Sequence, residues 1–172
     1  MSIDKVDFPW PEWVQGRMLP DKSFAKAYET APDAVRAGMK QQIAQLYDLH
    51  GPDKVVLGER YAAWRQGFVT WSRTRPLERV LILLGADFAS PSMLLAAVMP
   101  TVCAGVESIL TVRAGRATDW PPLLLTALEL AGQESAAAVR AGEMNKLLDS
   151  LGGDGRSAGV IVLGPPELRK AV

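Results

Sequence analysis

The sequence predicts an α/β fold, a Rossmann-like three-layer α/β/α sandwich with a mostly parallel sheet. Three observations carry that reading. Val80 to Leu84 is an unbroken apolar run, too short for a helix and closed by Gly85, as a strand buried on both faces of a parallel sheet requires. The stretch from Arg79 to Val112 reads as strand, turn, helix, glycine turn and strand, which is one βαβ unit. Beyond it, strand-length apolar runs keep alternating with helix-length ones, and that alternation implies parallel pairing through right-handed crossovers. A helical N-terminal segment and an extended arm precede the sandwich, giving three parts: arm 1–20, helical segment 21–66 and α/β domain 67–172.

The arm, MSIDKVDFPWPEWVQGRMLP, carries prolines, Phe8, Trp10 and Trp13 without helical or alternating period, so it reads as extended chain. Leaving both indoles in water is costly, and they are expected to dock on this chain, on a second copy or on another protein. Residues 21–30 form a short helix. Pro32 opens a longer one in which Val35, Met39, Ile43, Leu46 and Tyr47 share a face, and Gly51-Pro52 stops it. The only histidine, His50, closes that helix, where the dipole favours a cation. Lys54 to Arg65 reads as a further helix and Gly67 to Thr74 as a strand. Tyr61, Trp64, Phe68 and Trp71 alternate there with arginines, a pattern shared by base-stacking surfaces and by packed helix faces. The balanced charge of the chain favours the packed face.

Within the βαβ unit, Ser90 is placed to cap the helix that begins at Pro91, and Ala104-Gly105 to end it. Ser108–Val112 is the second strand and residues 113–118 a loop, with Asp119 the natural cap of a helix running through Leu130. Ser135–Val139, a helix from Gly142 to Leu151, a glycine turn at 152–155 and a strand Gly159–Leu163 complete the domain.

Bulk properties narrow the function. The chain has 172 residues, 48% of them hydrophobic, enough for one sizeable core. Nineteen basic residues balance nineteen acidic ones, so the long-range field that draws proteins to nucleic acid or to anionic membranes is absent, and neither partner is expected. No apolar run approaches membrane-spanning length, and a single cysteine, Cys103, in a predicted buried helix fits a cytoplasmic setting. One histidine and one cysteine far apart give no basis for a zinc site.

The segment PLERVLILLGADFASPSMLLAAVMPTVCAGVESI resembles the start of the nucleotide-binding domain of histidinol dehydrogenases, which read P-L-(D/E)-R-V-G-x-Y-V-P-G-G and then P-S-x-x-L-M-x-x-x-P-A-x-V-A-G-V. LLLTALELAG and VIVLGPPELRKA fall where that family has a helix ending L-A-G-V and a strand ending V-G-P-G-N. The resemblance runs over residues 75–172 and extends more distantly to the aldehyde dehydrogenase superfamily. It implies NAD(P) as cofactor and a site at the strand ends built from Gly85, Ala86, Asp87, Ser90, Glu143, Gly164 and Glu167. It also implies dimers that exchange segments, hence a homodimer in which Phe8, Trp10 or Trp13 crosses the interface.

This chain departs from the family at the positions that matter for chemistry. Leu83 stands at the tyrosine of the Y-V-P-G-G turn, Pro166 and Glu167 at the G-N of G-P-G-N, and Arg140 to Glu143 at the G-G-A-Q turn. Carboxylates at Asp87, Glu143 and Glu167 would repel a pyrophosphate, while a carboxylate suits ribose hydroxyls. The family's zinc ligands and acid/base histidines lie after G-P-G-N, and this sequence ends eight residues after Gly164. Two readings follow: a stand-alone non-catalytic relative that binds a nucleotide, another small molecule or a protein partner; or an NAD(P)-dependent oxidoreductase subunit whose catalytic residues come from another chain.

Overall fold

The computed structural model describes residues 9–51, 58–153 and 155–164. Its centre is a four-stranded parallel sheet. Arg79–Leu84 (β3), Ser108–Ala114 (β4), Ala136–Val139 (β5) and Ala158–Leu163 (β6) form it in the order β5-β4-β3-β6. Pro91–Cys103 (α4), Pro122–Leu130 (α5) and Ala141–Asp149 (α6) are the crossovers. The first two crossovers step the same way along the sheet, and right-handedness puts α4 and α5 on one face. The third jumps back past β4 and β3, so α6 lands on the other face, and the strand order reverses between β3 and β6.

Alternation along β3 feeds both layers. Val80, Ile82 and Leu84 join Phe24, Leu94, Leu124 and Leu128 in one core, while Leu81 and Leu83 join Leu110, Val112, Met144 and Leu147 in the other. Every residue of β3 is buried, and each fully buried Leu or Ile contributes about 1.5–3 kcal/mol. Asp21–Thr30 (α2) packs on α5, and Asp33–His50 (α3) packs on α4, thickening the first layer. Both begin behind a proline and carry Asp in the first turn, a favourable charge for the helix dipole.

The arm runs against the second layer of its own chain. Trp10 is buried, and its indole N–H donates to Ser108 Oγ at 2.8 Å. The Arg79 guanidinium lies 5.8 Å from the Trp10 ring centre and donates to the Pro9 and Leu151 carbonyls. Glu12–Gln15 (α1) is a single helical turn that buries Val14 completely, a local helix where extended chain was expected. Met18 then bridges Ala137 antiparallel, and the Leu19 N–H donates to the Ala136 carbonyl at 2.8 Å, so the arm closes the β5 edge of the sheet. The expectation that Trp10 crosses a dimer interface is thereby corrected: its partners are within this chain. Trp13 packs against the same core, under Lys146. Phe8 lies outside the described residues.

Two further expectations are corrected. The helix read over Lys54–Arg65 is instead a strand over its described part: Gly58–Ala63 (β1) pairs antiparallel with Val69–Thr74 (β2), Tyr61 facing Trp71. Gly67 makes the turn at φ 87°, a conformation that suits glycine and would strain other residues. The aromatics therefore do not line a packed helix face; Tyr61 is 69% exposed and Trp71 62%. Asp119 does not cap α5, whose N-cap is Pro121 and whose first residue is Pro122; its carboxylate accepts the Arg116 N–H at 3.1 Å and fixes the 3-10 turn Ala117–Asp119.

Candidate functional site

In open parallel sheets ligands collect outside the carboxyl ends of the strands, most often where the strand order reverses. Here that point lies between β3 and β6. The Gly85 N–H donates to the Leu163 carbonyl at 2.9 Å, so Gly85 and Gly164 lie at adjacent strand ends. Ala86 and Asp87 are exposed on the loop that follows, and Ser90 caps α4 by accepting the Met93 N–H at 3.4 Å. Glu143 stands in the first turn of α6, beyond β5. Glu167, with Pro166, lies outside the described residues.

The loop after β3 is held from below by Arg113, a side chain 7% exposed that donates to the carbonyls of Ala86 and Phe88. Two of its backbone amides are spent as well. Gly85 donates to Leu163, Phe88 to Gly85 and Met93 to the Ser90 hydroxyl, while Pro91 has no N–H to give. A dinucleotide pyrophosphate needs free amides at such a turn and no carboxylate over it. This loop places the exposed carboxylate of Asp87 where a pyrophosphate held in that manner would sit, a poor match in charge.

Glu143 is committed to structure. One carboxylate oxygen accepts the Arg140 N–H at 3.1 Å and the other meets the Arg17 guanidinium at 2.9 Å. The Arg140 backbone bond, helped by the charges of Arg17 and Arg140, holds its carboxyl below the usual range. This pair also ties the arm to α6.

Two of the clefts formed by the described residues flank the sheet. The larger, about 890 Å³, opens at the amino ends of β3 and β6 between the hairpin and the end of α4, with Leu77, Val80, Pro100, Val106 and Gly159 in its walls. The second, about 760 Å³, opens at the carboxyl ends of β4 and β5 and is lined by Arg17, Met18, Ala86, Gly115, Arg116 and Arg140, among others. Position at the carboxyl edge makes the second the better ligand site despite its smaller size. None of its arginines was proposed as a site residue from the sequence, although Arg140 opens the turn aligned with the family's G-G-A-Q. They come from three separate segments, and only the topology brings them together. His50 closes α3 and Cys103 is buried near the end of α4, and among the described residues no three His, Cys, Asp or Glu side chains converge as metal ligands. No helix among the described residues is long and apolar enough to cross a membrane.

Comparison with known proteins agrees with this architecture. The histidinol dehydrogenase of Nitrosomonas europaea is 30% identical over 126 residues, 73% of this chain and 26% of that protein. The crystal structure of histidinol dehydrogenase from Elizabethkingia anophelis superposes with a TM-score of 0.68 at 16% identity, over 90% of this chain and 36% of that one. The chain thus spans 26% and 36% of the lengths of these two relatives. The family profile described as histidinol dehydrogenase matches residues 4–142, taking in the arm and helices that precede the resemblance read from residue 75 onward. With most of its length matched by that profile, the chain belongs to the histidinol dehydrogenase family.

Proposed function

We propose that this chain is a ligand-binding module of the histidinol dehydrogenase fold that carries out no chemistry of its own, its ligand seated at the carboxyl edge of the sheet. The observation behind this reading is that three of the polar side chains at that edge are tied up in holding the structure. Ser90 caps a helix, Glu143 holds a backbone amide and Arg17, and Arg113 holds two carbonyls. General acid–base work needs a proton carrier within hydrogen-bond reach of a reacting group, and none of these is paired with the single histidine. A thermal-shift screen with NAD, NADP, ATP, coenzyme A and small acids tests the proposal. A bound ligand at a hundredfold excess over its Kd adds about 2.7 kcal/mol to stability and raises the melting temperature. Binding without turnover is the expected result, and reduction of NAD by any small alcohol or aldehyde would contradict it.

A second reading keeps the family's cofactor: an NAD(P)-dependent oxidoreductase subunit completed by another chain. It is favoured by one observation, the reversal of strand order beside Gly85 and Gly164, where dinucleotides bind in this class of sheet. For assembly we propose a homodimer. Because Trp10 is spent within the chain, the contact is assigned to the aromatic face of the hairpin. There Glu59 and Arg73, 3.9 Å apart within the chain, flank Tyr61 and Trp71, and exchanging that ion pair between copies suits two-fold pairing.

A further inference from the structure

We infer that the cleft between the arm and the carboxyl ends of β4 and β5 binds a small, multiply charged anion of the phosphate class. The inference deepens the binding-module reading and rests on it. Three arginines from distant parts of the chain line the cleft. Arg17 is delivered by the arm, whose strand-like pairing has the Arg17 carbonyl accepting the Ala138 N–H at 3.2 Å. Arg116 is delivered by the turn after β4, which Asp119 fixes through the Arg116 N–H. Arg140 is delivered by the step from β5 into α6, which Glu143 fixes through the Arg140 N–H.

Among the described residues lining the cleft there is no carboxylate. Arg17 has Glu143 as a partner, whereas Arg116 and Arg140 have no ion pair among the described residues. Arg113, next in sequence to the lining residue Ala114, is a buried cation that spends its terminal nitrogens on carbonyls and leaves Nε without an acceptor. Three arginines in the lining outnumber the two carboxylates behind it, Glu143 and Asp119, so the rim carries a surplus of positive charge in a chain with no net charge. Guanidinium forks match the oxygen geometry of phosphate, and several forks supply more donors than a single carboxylate accepts. The rest of the lining is mostly small, Ala86, Ala114, Gly115 and Ala138, with no aromatic platform for a base. Phosphate or pyrophosphate fits better than a whole dinucleotide.

Calorimetric titration at constant ionic strength tests the assignment, with pyrophosphate as the probe and phosphate, citrate and NAD as separate arms. Saturable pyrophosphate binding is expected, weakened about tenfold or more by Arg116→Gln and by Arg140→Gln through loss of charge-assisted hydrogen bonds. Lys26→Gln on α2 should leave it unchanged, and circular dichroism of each variant confirms the fold. Pyrophosphate binding that survives both substitutions overturns the cleft assignment while leaving a ligand-binding module in place. Tighter binding of citrate or NAD than of pyrophosphate overturns the ligand class alone. Absence of binding by every probe contradicts the inference and the binding-module reading together.

Discussion

Arg17 and Glu143 meet at 2.9 Å across 126 residues of sequence, joining the N-terminal arm to the first turn of α6. The same carboxylate accepts the Arg140 N–H, so two walls of the arginine cleft are fixed by one side chain. Its acid is held below the ordinary value of 4.5 in the folded state, chiefly by that backbone bond. A depressed folded value contributes stability that is fully present above the unfolded value and is lost as pH falls through the folded one. Glu143→Gln should therefore flatten the decline in stability below pH 4.5, read by urea denaturation across that range. An unchanged acid limb would show that the pair is broken in solution.

Trp10 anchors the arm. Truncating a buried tryptophan to alanine costs about 3–5 kcal/mol, and Trp10→Phe, which removes only the bond to Ser108 and part of the ring, should cost about 1–2 kcal/mol. Chemical denaturation of both variants checks the ranking. A shift in oligomeric state with no loss of stability would instead mean that the arm exchanges between copies.

Gly115 turns the chain from β4 into the Arg116 segment at φ 135°, a region that side chains with a Cβ rarely enter. A Cβ there would also stand 3.4 Å from the Asp119 carboxylate that fixes the turn. Gly115→Ala should cost about 1–3 kcal/mol and weaken pyrophosphate binding, since Arg116 moves with the turn. Wild-type stability in a thermal melt would count against the described turn.

The hairpin face carries no such load. Tyr61→Ser and Trp71→Ser, directly opposed on β1 and β2, should each lower stability by no more than about 1 kcal/mol. Sedimentation velocity on the double variant should show a shift from dimer to monomer. An unchanged dimer would place the contact elsewhere.

Much of this architecture was legible because its signals are local. β3 could be read from five consecutive apolar residues and α4 from Ser90-Pro91 and Gly105. The hairpin could not, since Tyr61, Trp64, Phe68 and Trp71 recur at spacings that suit a helix face, and cross-strand pairing decided otherwise. Trp10 finds Ser108 at a separation of 98 residues, which no local pattern encodes. At the site, Gly85, Ala86 and Ser90 fall at the strand ends where the sequence placed them, while Glu143 serves as a helix-turn acceptor and arm tether. Arg17 and Arg116 drew no notice, and Arg140 only as the first residue of the turn aligned with G-G-A-Q, because an arginine in a loop has no signature; their shared cleft comes from the strand order alone.

The central claim is that the carboxyl edge at β4 and β5 holds an anionic ligand. It is tested most directly by following backbone amide resonances of the 15N-labelled protein during pyrophosphate titration. Saturable shifts centred on Arg17, Gly115, Arg116, Ala117 and Arg140, with the hairpin amides of Tyr61 and Trp71 unmoved, are the predicted result. Shifts confined to other surfaces, or none up to saturating pyrophosphate, would contradict it.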